Sequence, residues 1–485
     1  MNLHISNERC RESLMIDRRN WLRRAGCGFG SLAAAALLQD AGTAAAAARK
    51  NPLAPRSPHF PAKARSVIFL YMHGGASHID SFDYRPELER RQGEPLPASV
   101  NTARNQFNAG LGSILKSPWK FRQYGQCGAW VSDLFPQVGQ VADELCFIKS
   151  MYSNNNAHTP ATLELHTGSQ TLMRPSMGSW VAYGLGSENQ NLPGFVTICP
   201  PLTYSGQRNF GSAFLPATYQ GTMIGTNRIA AKEARFRNID QGAITSADQR
   251  QMLDLLQAGN REQLQRSGDD VAWQSRMASF ELAFRMQSHA PEVLDLSAES
   301  QETLALYGVD DPVTENYGRE LLLARRCVER GIRFVHVAHT GGRGGRWDQH
   351  SGLVAGHGNN AKSCDKPIAG LIRDLKRRGL LDETLVIWST EFGRTPEVQN
   401  KTGRGHHAQG FTFWLAGGGV KPGFSYGATD DFGYHAVESP VDLHDLHATV
   451  LHLLGLDHTR LTYRYSGRDF RLTDVSGRVV REIIA

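Results

Sequence analysis

Closely spaced cysteine pairs are missing from this sequence. No C-x-x-C occurs in its 485 residues, and the seven cysteines lie at wide, irregular intervals. That argues against a structural zinc knuckle and against a disulfide-dense scaffold. Cys10 and Cys27 lie near the start, which leaves Cys127, Cys146, Cys199, Cys327 and Cys364. An oxidising compartment would admit one or two bridges among these five. No stretch approaches about 18 consecutive apolar residues, so no membrane span is expected in the mature chain. No internal repeat is visible, which excludes solenoids and propellers. Charge of one sign is not in excess: 53 Lys and Arg face 47 Asp and Glu, a net of +6 spread along the chain. No nucleic-acid partner is expected from such a balance, whereas a small anionic substrate is compatible with it. What remains is a chain with 40% hydrophobic and 21% charged residues, long enough to bury a core without staples.

The first residues have their own pattern. Asp17-Arg18-Arg19-Asn20-Trp21-Leu22-Arg23 precedes an apolar run from Gly28 to Leu38 and an Ala-rich stretch from Ala44 to Ala48. A charged region, a short apolar core and small residues form an export signal. The adjacent arginines followed by an aromatic and a leucine resemble a twin-arginine signal. Residues 1–48 are therefore expected to address the chain to the twin-arginine export machinery and a periplasmic or extracellular destination. Cys27 precedes the apolar run and is badly placed for lipoprotein cleavage. Residues 49–65 are Pro-rich and basic, and read as a linker to a domain over 66–485.

Within that domain, Ser66 to Met72 is a continuous apolar run bounded by Gly74-Gly75. It reads as a buried, parallel strand. Further strands are expected at Leu145–Ile148, Phe195–Cys199, Arg333–Val337, Thr384–Trp388 and Phe411–Ala416. Residues 240–330 carry helical periodicity and read as several helices, the last over Asn316–Arg330. Another helix is expected over Asp365–Arg378. Strand, loop, helix, strand at this spacing predicts an α/β fold with a mainly parallel central sheet.

In open α/β sheets, ligands collect beyond the carboxyl ends of the strands. Four polar clusters fall there: His73 to Asp80, Trp347-Asp348-Gln349-His350, Ser389 to Arg394, and Gly405-His406-His407. Each alone has an ordinary reading. A loop histidine usually caps or faces solvent, Asp348 could start a turn, and Glu391 could pair with Arg394. Their convergence is the informative feature. Carboxylates with imidazoles suit zinc, manganese or iron, and carboxylates with waters suit magnesium or calcium.

Long stretches resemble the DUF1501 family, often loosely labelled sulfatase-like. They are GGASHIDSFDYRP (74–86), NNNAHTPATLELHTGS (154–169), RWDQHSG (346–352), GLLDETLVIWSTEFGRTP (379–396) and AGGGVKPGFSYGATDDFGYHAVE (416–438). The family is similar in turn to the alkaline phosphatase and sulfatase superfamily. That resemblance implies a three-layer alkaline phosphatase-like sandwich with a helical insertion. It also implies divalent metal ions (zinc, manganese, magnesium or calcium) held by Asp80, Asp348, His350, Glu391 and His406. His73 and Asp80 are the counterparts of the superfamily's aspartate after the first strand. Glu391-Phe392-Gly393 stands where Asp-His-Gly or Asp-Asn-Gly is usual, so an imidazole is replaced by Phe392. The final histidine is His406 or His407, with His406 preferred. His444 and His447 lie three apart on a C-terminal helix, where a structural role is favoured.

At the superfamily's nucleophile position stands His158, with Thr159 beside it, and no C-x-P-S-R occurs, which disfavours a formylglycine sulfatase. Three attackers are open: the His158 imidazole, the Thr159 hydroxyl, or a water on the metal. Arg394 is expected to orient an anionic ester through its planar fork. The expectation is an exported metal-dependent hydrolase of phosphate or sulfate esters. The alternative is a catalytically silent binding or surface-assembly protein on the same fold.

Overall fold

The computed structural model describes residues 51–485 except 103–109, 238, 240, 241, 243, 268, 269 and 341–345. The expected export signal, with Arg18 and Arg19, lies outside the described residues. Residues 52–485 form one compact unit. The stretch expected as a linker makes contacts of its own. Leu53 is buried, Arg56 N–H donates to the Leu185 carbonyl at 2.9 Å, and Lys63 N–H to the Leu453 carbonyl at 2.8 Å.

The strands that place the site are β1 (Ser66–Met72), β2 (Leu145–Tyr152), β3 (Phe195–Ile198), β4 (Thr222–Ile224), β5 (Phe334–His339), β6 (Thr384–Ser389), β7 (Gly393–Gln399), β8 (Gly403–His407), β9 (Phe411–Ala416), β10 (Phe424–Tyr426) and β11 (Val441–Asp442). The central sheet runs in the order β10-β2-β9-β6-β1-β5-β3-β4, with β11 also pairing to β2. β1 is parallel to both β5 and β6, and β3 is parallel to β5 and β4. Only β9 runs against its neighbours β2 and β6. The expected fold class, α/β with a mainly parallel central sheet, is what the chain adopts. β1 is buried at all seven positions, as an apolar run covered on both faces must be.

The helices used below are α1 (His158–Thr167), α2 (Met177–Leu185), α3 (Ser246–Ser267), α4 (Val271–Leu294), α5 (Glu315–Glu329), α6 (Leu353–Arg377) and α7 (Leu443–Leu453). α3 to α5 account for most of the helical segment expected over 240–330. α6 begins twelve residues before the expected Asp365, because Pro367 is accommodated inside it. Among the described residues no helix is long and apolar enough to cross a membrane. Cys127, Cys146, Cys199, Cys327 and Cys364 are all free thiols.

Candidate metal centre

The parallel strands β1, β5 and β6 deliver their carboxyl ends to one edge of the sheet, where His73, His339 and Thr390-Glu391 begin the loops. Two glycines let those loops meet. At Gly74 (φ 119°) a Cβ would stand 2.7 Å from the Trp347 nitrogen and 2.8 Å from that of Asp348. At Gly403 a Cβ would stand 2.1 Å from the His350 carbonyl carbon. The 347–352 loop is thus pressed between the β1 turn and β8. It is fixed there by Trp347 N–H to the His73 carbonyl (3.0 Å), Arg404 N–H to the Gln349 carbonyl (3.1 Å) and Leu353 N–H to the Thr402 carbonyl (2.9 Å).

β7 and β8 form an antiparallel hairpin in which Arg394 lies opposite His406, and Gly393 opposite His407. Successive strand residues point to opposite faces. His406 therefore meets Asp348, its Nε2 3.1 Å from Oδ1, while His407 turns away to the Tyr434 carbonyl. Of the two histidines, His406 is the one whose ring reaches Asp348. α1 begins at His158 and brings that ring to the same point.

Asp348 is the hub. His158 Nε2 lies 3.2 Å from Oδ2, and His350 Nε2, His406 Nε2 and Arg394 Nη2 lie 3.1, 3.1 and 2.8 Å from Oδ1. Burial would raise the Asp348 pKa, but the three histidines close to it and the Arg394 charge hold it far below the carboxylate range. The ligand atoms of His158, Asp348 and His406 all lie within 4.8 Å of one another.

The other ring nitrogens fix the tautomers. His158 Nδ1 is 2.7 Å from Glu391 Oε1, and His406 Nδ1 is 2.8 Å from the Asn156 carbonyl. Both must be N–H donors, so both rings turn Nε2 toward Asp348. Burial pushes the His406 pKa down to about 4, so its ring is neutral at pH 7 and Nε2 carries a lone pair. Burial also lowers His158, but the carboxylates of Asp348 and Glu391 beside it outweigh that and raise it. Its Nε2, though close to Asp348, has no aligned hydrogen-bond partner.

Glu391 is fully buried. It accepts from Gly74 N–H (2.9 and 3.1 Å), Gly75 N–H (3.1 Å) and His158. Burial would raise its pKa, but His158 beside it holds it down at about 2. Phe392 packs on His158 and His406 with centroids 5.0 and 4.4 Å away.

Three expected site residues stand differently. Asp80 is remote from this hub chemically: Arg404 Nε and Nη2 grip its two oxygens at 2.7 and 3.0 Å, and both side chains are fully buried. A guanidinium cannot surrender its proton, so this carboxylate is saturated. Arg394, also fully buried, donates to the carbonyls of Gly74, Gly75, Trp347 and Arg404 besides Asp348. Its fork is spent on Asp348 and on these carbonyls. Thr159 is exposed on the outer side of the first turn of α1. His444 and His447 bond the carbonyls of Gly168 and Leu165, tying α7 to the end of α1.

His73 was legible as the residue after β1 but was left out of the ligand set. It is 2% exposed, neither ring nitrogen has a hydrogen-bond partner, and the charges of Glu391 and Asp348 act on it. Asn156, which sets the His406 tautomer, had no signal in the sequence beyond its place in an Asn run.

The fold and site together define an α/β domain with a histidine-carboxylate cluster at the strand ends. The chain belongs to the DUF1501 family, described as a protein of unknown function, whose pattern matches residues 64–484. No curated protein matches it. Among solved structures it is similar to a sulfatase from Pseudoalteromonas sp., at 16% identity over 83% of this chain and 68% of that one, TM-score 0.34. It is also similar to the alkaline phosphatase of the Antarctic bacterium TAB5 (10% identity, 82% and 99% covered, TM-score 0.33). A third is the lipoteichoic acid synthase LtaP of Listeria monocytogenes (9% identity, 87% and 78% covered, TM-score 0.35).

Proposed function

We propose that this is a metal-dependent hydrolase of phosphate or sulfate esters, with one divalent cation held by His158, Asp348 and His406. The observation that carries the reading is the convergence of two imidazole Nε2 atoms on one ionised carboxylate, with His158 Nε2 unaligned to any donor or acceptor. Ligands bound to a common ion at about 2.0–2.2 Å stand roughly 3–3.6 Å apart, and Asp348 lies 3.1–3.2 Å from the two rings. A two-histidine, one-carboxylate set suits zinc, manganese or iron better than magnesium or calcium. Such a cation would polarise an ester oxygen and lower the pKa of the attacking group.

The remaining residues hold this set. Glu391 keeps the proton on His158 Nδ1, and Asn156 keeps it on His406 Nδ1, as ligand histidines require. Arg394 holds Asp348. His350, half-buried, and His73, in ring contact with Tyr204, are further imidazoles near the set. The N-terminus of α1 offers its dipole to an anion beside His158. His158 cannot serve both as ligand and as attacker, and its place on Asp348 favours the ligand role.

The test is release of the aryl alcohol from aryl phosphate and aryl sulfate esters, with zinc or manganese supplied. Turnover by the wild type and loss in His158→Ala, with folding intact, is the expected result. Bound metal without turnover of either ester would favour the silent, binding reading instead. Export through Arg18 and Arg19 belongs to the same proposal, and normal processing of an Arg18→Lys, Arg19→Lys chain would remove it.

A further inference from the structure

The chain from Tyr204 to Gly206 makes a left-handed turn, with φ values of 44°, 70° and 51°. Gly206 adopts this freely, but Tyr204 and Ser205 do not, and L-residues rarely hold it in succession. Such strain persists only where its surroundings over-determine it, and it gathers at functional sites. Here the surroundings are visible. Asn209 Nδ2 donates to the Tyr204 carbonyl at 3.0 Å, Ser205 Oγ donates to the Thr159 carbonyl at 3.3 Å, and Gly206 N–H closes onto the Thr203 carbonyl at 3.1 Å. The turn is therefore tied to the first turn of α1, beside His158.

Core packing does not explain the arrangement, because Tyr204 is only half-buried. What the turn achieves is the placement of one ring. Tyr204 lies flat on His158, with centroids 4.4 Å apart and planes 11° from parallel, and its ring meets His73 at 5.1 Å and 61°. Phe392 packs against His158 as well, at 5.0 Å. The bond from Nδ1 to Glu391 fixes one edge of the imidazole, which can still tilt by rotation about its Cβ–Cγ bond within the tolerance of one hydrogen bond. A flat aromatic neighbour removes that rotation.

We infer that Tyr204 is a positioning residue for His158: its stacked ring fixes the imidazole plane that aims Nε2 at Asp348 and the metal. The inference rests on the metal site proposed above. The ring, not the hydroxyl, does the positioning, and the left-handed turn is maintained to present it.

Zinc affinity of the full chain, measured by competition with a chromophoric chelator, tests this alongside the thermal midpoint of the metal-free protein. Tyr204→Ala and Tyr204→Gly should weaken zinc binding by about 10–100-fold, the usual effect of losing a group that orients a ligand. Tyr204→Phe should stay within about threefold of wild type on the same scale. Tyr204→Gly should also hold or raise the midpoint, because glycine accepts the left-handed φ. A merely structural tyrosine would give the opposite pattern, a lower midpoint with zinc affinity unchanged, and that result overturns the inference. Equal losses in the Phe and Ala variants would overturn it too, by assigning the role to the hydroxyl. Absence of zinc binding by the wild type would overturn the metal site itself, an outcome distinct from wild-type binding that the variants leave unchanged.

Discussion

Asp80 and Asp348 occupy loops at the same edge of the sheet, and both had been expected to bind metal, yet their surroundings differ in one chemical respect. Asp80 is gripped by Arg404, whose guanidinium keeps its protons, and Ser77 adds a hydroxyl at 2.5 Å. Asp348 also meets an arginine, but its remaining contacts are the Nε2 atoms of His158, His350 and His406. An imidazole can hold a proton there or give it up to a cation. The first carboxylate is closed by its arginine; the second, on the reading proposed above, would take a cation. A third, Glu320, has neither arrangement. It is 4% exposed, with Asn316 Nδ2 2.8 Å away, and burial pushes its pKa up to about 8, so it keeps its own proton.

The largest expected effect lies at the closed pair. Arg404→Met leaves Asp80 buried without its counter-charge and should cost about 3–5 kcal/mol in urea unfolding. A loss below about 1 kcal/mol, the range of an exposed pair, would show that Asp80 is not closed. At the poised cluster, Glu391→Gln removes the charge that keeps His158 Nδ1 protonated. Zinc affinity should drop by about 10–100-fold while the fold is retained. Unchanged affinity would separate Glu391 from the site.

Glu320 sharpens the contrast through pH. Its folded pKa of about 8 lies above the ordinary 4.5, so the folded chain binds the extra proton between those values. The contribution is complete below about pH 4.5 and is lost as pH rises through 8. Glu320→Gln should remove that decline and melt a few degrees above wild type at pH 8.5, with the difference shrinking toward pH 5. Parallel stability curves for the two proteins would contradict it. The smallest effect belongs to Thr159→Val: its hydroxyl is exposed, and stability should move by no more than about 0.5 kcal/mol with zinc affinity unchanged.

Strands made almost wholly of apolar residues were readable to the residue, as at Ser66–Met72 and Phe411–Ala416. The direction of β9 was not, because an apolar run has no polarity along the chain. The β7–β8 hairpin escaped notice for a physical reason. Its buried positions include Arg394, Thr395, Glu397, Arg404, His406 and His407, so residues that normally mark a loop fill an interior. Missing the hairpin meant missing Arg404, and with it the reason Asp80 is sealed. His158, Asp348, His350 and His406 were legible as side chains at strand and helix ends. Their tautomers were not, because these depend on Glu391 and on the Asn156 carbonyl, distant in sequence. Tyr204 was invisible for a similar reason: nothing in Thr-Tyr-Ser-Gly announces a left-handed turn beneath a histidine.

The central claim is that Asp348, not Asp80, anchors a metal. Equilibrium dialysis of the full chain, purified without chelator, against zinc or manganese at neutral pH tests it most directly. The account predicts one ion bound per wild-type chain and none in Asp348→Asn. No uptake by the wild type, or full uptake by the Asp348→Asn protein, would contradict it.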